Sequence, residues 1–173
     1  CPSEYLDCID DVKKISNPEN VDILTTIGNF VSPYNNFTSL KVQFDTSGEV
    51  TLDIKRLYSN EDIINISNKI DSIWKDIVTQ DMSTEDIIYA FHDYIINTTK
   101  YDETYEKEIK NGKSTHNSAK ANGPLFEGFG ICSGYTDVLS IVLDKLGLDN
   151  YKVASKTHVW NAVKINNEWK HID

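Results

Sequence analysis

Three residues have the types and spacing for covalent chemistry. Cys132 stands in "GFGICSGYTDVLSIVLDKLG" (residues 128–147), His158 opens "HVWNAVKI", and Asp173 closes "EWKHID". A cysteine in the first turn of a helix lies beside unpaired backbone N–H groups and the positive end of the helix dipole, and both stabilise a thiolate. A histidine within reach takes the thiol proton, and a carboxylate orients the imidazole from its other nitrogen. Singly, each residue has a plainer reading: an inert buried cysteine, a solvated histidine, a strand-end carboxylate. Set together on one helix start and two paired strands, they favour nucleophilic catalysis. Glycines 128, 130 and 134 are expected to keep side chains away from the sulfur, so that a substrate backbone approaches it, with Gly130 a candidate for substrate contact.

The elements that would hold these residues are legible around them. A helix starts at or just after Cys132, with Val138, Leu139, Val142, Leu143 and Leu146 as its apolar stripe and Gly147 as its C-terminal cap. Strands follow at "YKVAS", "HVWNAVKI" and "EWKHID", the last two joined by a tight Asn166-Asn167 turn. The period of two puts His158 and Trp160 on one face, and Trp169, His171 and Asp173 likewise on one face. If that face is turned toward the start of the cysteine helix, His158 pairs with Cys132. The expected plan is α+β, a helix packed on an antiparallel sheet.

Upstream, residues 1–20 read as a short acidic helix ending before Pro18. Residues 39–57 read as a β-hairpin around "DTSGE", with Leu40, Val42 and Phe44 on one face and Val50, Leu52 and Ile54 on the face opposite. Ser59 and Asp62 start a helix running to about Val78, striped by Ile63, Ile66, Ile70, Ile73, Trp74 and Ile77. Ser83 and Asp86 repeat the device for a helix that turns Ile87, Phe91, Tyr94 and Ile95 inward and ends near Thr98. Residues 101–124 read as a polar loop forming a substrate-side wall, with His116 solvated on it. The division expected is an N-terminal helix and hairpin elaboration over 1–58 and a catalytic core over 59–173.

Composition bounds the function. Twenty-seven acidic side chains against 17 basic ones give a formal net charge of −10. This disfavours nucleic acid and anionic membranes as partners, since both are bound by clustered Lys and Arg. No apolar run reaches the roughly 18 residues that span a bilayer, so no transmembrane segment is expected. The cysteines fall at 1, 8 and 132, without a CxxC or a zinc-finger spacing, and no metal or other cofactor is expected. Cys1 and Cys8 are open to three readings: free thiols, a local bridge, or, for Cys1, a lipid-attachment site.

"GICSGYTDVLSIVLDKLG", "HVWNAVKINNEWKHID" and "FHDYIINTTKYD" together resemble the transglutaminase-like domain of bacteria, within the papain-like cysteine enzyme superfamily. Members carry a G-x-C-x-G-Y helix start, an H-x-W-N strand and a W-x-H-x-D strand in this order, and the match covers roughly residues 84–173. The resemblance implies a papain-like core and a Cys-His-Asp catalytic triad of Cys132, His158 and Asp173. It implies a cysteine protease, another thiol hydrolase or an acyltransferase acting on protein or peptide amides through a thioester. Tyr135 and Trp160 fall at motif positions that wall the substrate site, and His171 at one suited to a structural hydrogen bond. A bacterial secreted or cell-surface location goes with it. Two departures stand out. Family sequences continue past the aspartate, so the core is expected to be cut short at Asp173 and its carboxylate loosely held. No glutamine occurs between 81 and 173 to serve the oxyanion, leaving the Cys132 N–H and, as a guess, Asn122.

Two rivals remain. One is a catalytically silent transglutaminase-like binding module of the cell surface, a class that typically lacks a triad residue. The other is a metal site of Cys132, His158, His171 and Asp173, which lacks a short chelating pair.

Overall fold

The computed structural model describes residues 21–111 and 116–173. The acidic lead-in, with Cys1 and Cys8, lies outside the described residues. Backbone contacts divide the chain into two units, 1–58 and 59–173.

The first unit contains helix α1 (Val21–Phe30) and a hairpin of β1 (Phe37–Phe44) and β2 (Val50–Arg56). The turn closes because the Asp45 carboxylate accepts from the N–H groups of Ser47 and Glu49 and from the Ser47 hydroxyl. Leu40 stands opposite Ile54, and Val42 opposite Leu52. Directly paired residues of an antiparallel ladder share a face. Leu40 and Val42 therefore lie on the same side of the ribbon as Leu52 and Ile54, which corrects the expectation that the two strands' apolar residues occupy opposite sides. Tyr34 meets Tyr58 edge-on, with ring centroids 6.0 Å apart.

In the second unit, α2 (Asn60–Ile77) and α3 (Thr84–Thr98) both begin with reciprocal capping boxes, Ser59 with Asp62 and Ser83 with Asp86. Ile66, Ile70 and Ile73 of α2 are buried, and Trp74 packs on Phe91 of α3 at 5.6 Å. On α3 the buried positions are Ile88, Phe91 and Ile95, with Ile87 and Tyr94 only half-buried. The 101–124 stretch has more structure than a loop. It holds β3 (Lys100–Tyr101), the short helix α4 (Tyr105–Lys110) and, from Gly123 to Glu127, a π-helical turn. β3 pairs in parallel with β4 (Phe129–Gly130), which leads straight into α5 (Cys132–Lys145).

Residues 136–143 of α5 are all buried. It is thus a central helix rather than one with a single apolar stripe, and its polar members need partners inside. Asp137 takes the Lys152 ammonium at 2.9 Å, and Ser140 accepts from the Asn161 amide at 2.8 Å. Gly147 (φ 71°) ends the helix in a Schellman motif, with bonds from Leu148 N to Leu143 O and from Gly147 N to Asp144 O. The antiparallel sheet β5 (Asn150–Ala154), β6 (Val159–Ile165) and β7 (Glu168–Ile172) follows in that order, with Asn166 (φ 53°) and Asn167 (φ 67°) both left-handed in the β6–β7 turn. Leu139, Leu143, Ile88, Val163 and Ile165 form the core between helices and sheet. Among the described residues no helix is long and apolar enough to cross a membrane.

Candidate active site

Cys132 is the first residue of α5. The preceding cap residue, Ile131, has extended backbone and no side chain able to accept a hydrogen bond. The N–H groups of the first turn therefore lack the side-chain acceptor that α2 and α3 possess, and Cys132 and Ser133 present donors with no intrahelical partner. Cys132 is a half-buried free thiol.

What fixes this helix start is backbone contact. Ile131 N donates to Ser118 O at 2.9 Å. A Cβ on Gly134 would collide with that same carbonyl, and one on Gly130 would meet Pro124 and the Tyr135 ring at 2.9 Å. The glycines thus make room for the protein's own Ser118, Pro124 and Tyr135 instead of a substrate, and Gly130 is not among the residues lining the cleft. Behind Ser118, its hydroxyl donates to Asp102 Oδ2 in a buried position. That bond, with the Thr104 hydroxyl and the N–H groups of Thr104 and Tyr105, holds the Asp102 carboxyl below its ordinary value of 3.8 against the opposing effect of burial.

His158 and Asp173 lie at the end of the sheet. Register puts Asn161, Val163 and Ile172 on one face, and Trp160, Ala162, Trp169 and His171 on the other. Asn161 reaches α5, its amide donating to Thr136 O and Ser140 Oγ. The face carrying Trp160 and His171 is therefore turned away from the helix body, while Trp160 lines the cleft at the start of the helix. His158 and Asp173 instead sit just beyond the paired strands, where the sheet ends. The His158 Nε2 atom is 2.8 and 2.9 Å from the two Asp173 carboxylate oxygens, leaving Nδ1 as the free ring nitrogen. The imidazole stacks on Trp160 at 5.6 Å and 22°, and Trp160 Nε1 donates to His171 Nδ1 at 2.9 Å. His171 thus fixes the indole on which His158 rests.

Cys132, His158 and Asp173 line one cleft of about 270 Å³. Its walls are otherwise largely apolar, with Ile95, Ile96, Leu139, Val159 and Ile172 alongside Tyr101, Tyr135 and Trp160. Tyr135 donates its hydroxyl to Thr99 O at 3.1 Å, and burial followed by the nearby Tyr101 raises its pKa. Thr136, which the sequence reading missed, has its hydroxyl 2.7 Å from Cys132 O and 3.1 Å from Val159 O. It ties Cys132 to the residue after His158. A threonine four residues after the cysteine was the available signal, since its hydroxyl reaches back one turn.

Asn122 is not part of this site: its amide donates to Asp62 Oδ1 at 2.7 Å, and it lines another cavity. His116 is packed rather than merely solvated, stacked on Phe129 at 4.9 Å with Nδ1 3.6 Å from Glu127 Oε2. The metal grouping is not assembled: His171 is not among the residues lining the cleft with Cys132, His158 and Asp173, and its Nδ1 accepts from Trp160. Among the described residues no three His, Cys, Asp or Glu side chains are grouped to hold a metal ion.

The fold is transglutaminase-like. The crystal structure of a TGase superposes on this chain with a TM-score of 0.57 at 17% sequence identity, covering 91% of this chain and 47% of that one. This chain spans about half the length of that neighbour. No family model matches the sequence, and no curated protein matches it.

Proposed function

We propose that the chain is a cysteine-dependent acyl-transfer enzyme acting on protein or peptide amides, with Cys132 as nucleophile, His158 as general base and acid, and Asp173 as the group that orients it. One observation carries this reading: Cys132 at an uncapped helix start shares its cleft with an imidazole whose Nε2 is engaged by a carboxylate and whose Nδ1 is not.

His158 Nδ1 takes the thiol proton, and the sulfur attacks the amide carbonyl carbon. The N–H groups of the first turn of α5 receive the negative oxygen that forms, aided by the helix dipole. The C–N bond then breaks, the imidazolium returns its proton to the departing amine, and a thioester to Cys132 remains. Water or a second amine attacks that thioester, gives its proton to His158, and restores the thiol. Water gives hydrolysis or deamidation, whereas an amine gives cross-linking.

The test is the rate at which iodoacetamide alkylates Cys132, followed by intact mass from pH 5 to 9. Alkylation of the wild type should remain measurable near pH 6, and His158→Ala should remove that low-pH limb. A Gln-containing peptide should leave an acyl adduct on the wild-type protein and none on Cys132→Ala. Identical pH profiles in wild type and His158→Ala would overturn the assignment.

A further inference from the structure

A second cavity, of about 490 Å³, is lined by Asn65, Asn68, Lys69, Asn117, Asn122, Phe126 and Glu127, and shares no residue with the Cys132 cleft. The geometry points to a binding site for a neutral, hydroxyl-rich ligand, a carbohydrate, between α2 and the 117–127 segment.

Asn65, Asn68 and Lys69 share one face of α2 by their spacing of three and four residues, while Ile66, Ile70 and Ile73 occupy the buried face. Asparagine is a poor helix former because its side chain competes for backbone hydrogen bonds. Two of them on one exposed stripe therefore serve something other than helix stability. Opposite them the groups are held in place. The Glu127 carboxylate accepts from Asn117 N at 2.8 Å and Asn117 Nδ2 at 2.7 Å. The Asn122 amide nitrogen donates to Asp62 Oδ1, which fixes this wall residue against α2.

The ligand chemistry follows from this set. Side-chain amides offer donors and acceptors side by side, and a hydroxyl both donates and accepts. The half-exposed ring of Phe126 adds a flat apolar platform for the C–H face of a sugar ring. An anionic ligand is disfavoured, because Lys69 is the one cation lining the cavity and Glu127 stands against it. An apolar ligand would cover the Asn65 and Asn68 amides without pairing them.

Titration of the 15N-labelled protein with maltotriose, cellotriose and chitotriose, each to 20 mM, reads the Asn side-chain amide signals directly. At least one trisaccharide should shift the Asn65, Asn68, Asn117 and Asn122 signals saturably. Phe126→Ala and Asn68→Ala, both at exposed positions, should each weaken that binding about tenfold, a loss of about 1.4 kcal/mol. Triglycine serves as the peptide control. No saturable shift with any trisaccharide, equal or larger shifts with triglycine, or shifts unchanged in both variants would each overturn the site. Cys132 alkylation is independent of this outcome, so the two readings fail separately.

Discussion

Helices α2 and α3 begin in one way and α5 in another. Ser59 with Asp62, and Ser83 with Asp86, satisfy first-turn N–H groups reciprocally within four residues of chain. At α5 the cap residue is Ile131, which accepts nothing through its side chain, and the start is held by the Ser118 carbonyl and the glycine contacts behind it. A capping box stabilises a helix locally and occupies its donors. An uncapped start must be held by tertiary contacts, and it leaves the donors for an anion. Of these three helices, the one with the least local support carries the thiol.

If that distinction is right, α5 should be most sensitive where the loop meets it. Gly134→Ala drives a Cβ into the Ser118 carbonyl, backbone against backbone. It should cost about 3 kcal/mol or more in chemical denaturation and slow Cys132 alkylation in the fraction that remains folded. A loss below 1 kcal/mol would mean that the loop yields easily and does not fix the helix start.

Ser118→Ala is a milder probe of the same support, and it carries a pH signature. The Ser118 hydroxyl is the largest contributor to the depressed Asp102 pKa. A carboxyl with a folded pKa below its unfolded value of 3.8 contributes stability above that value and loses it as pH falls through the lower, folded one. The wild type should therefore lose Tm as pH drops below about 4, more steeply than Ser118→Ala does. At neutral pH the variant should be less stable by about 1–3 kcal/mol, the range for removing one partner of a buried charged hydrogen bond. Parallel Tm curves would remove Asp102 from the support of α5.

The same contrast explains what could be read from the sequence. Both capping boxes, the Asn166-Asn167 turn and the Gly147 terminator are local signals, complete within a few residues, and all were legible. So was the start of α5 at Cys132, together with the strands that bring His158 to Asp173. The parallel β3–β4 pair, the Ser118–Asp102 bond, and Pro124 and Tyr135 filling the space beside Gly130 all join residues distant in sequence. A glycine's composition says that space is needed, not what fills it. Burial of Ile88 ahead of Ile87, and of α5 on nearly all sides, depended likewise on neighbours that periodicity does not specify. The hairpin faces were misassigned because alternation fixes sides within each strand, whereas register fixes them between strands.

At a capped start the effect should be smaller and purely structural. Ser83→Ala removes one box and should cost about 1 kcal/mol, read from the denaturation midpoint. Cys132 alkylation should be unchanged at every pH. A change in the thiol's profile would show that α3, whose Ile95 and Ile96 wall the cleft, transmits its stability to the site.

The smallest stability effect, and the sharpest test, comes from giving α5 the cap it lacks. Ile131 already has the extended backbone of a cap position, so Ser or Asp there can accept from the Ser133 N–H without rearranging the chain. The gain from the new bond, about 1 kcal/mol, is offset by lost apolar contact at a half-buried position. Net stability should therefore stay within about 1 kcal/mol of wild type. Thiol chemistry should respond more strongly. Ile131→Ser diverts a donor from the sulfur, so low-pH alkylation should slow. Ile131→Asp does the same and sets a carboxylate next to Cys132, which disfavours the thiolate further. The expected order of rates near pH 6 is wild type, then Ser, then Asp, and high salt should narrow the gap between the last two, because only their difference is a screened charge. Equal rates in all three proteins would mean that the open donors of α5 do nothing for the sulfur, and the contrast between its start and those of α2 and α3 would carry no chemistry.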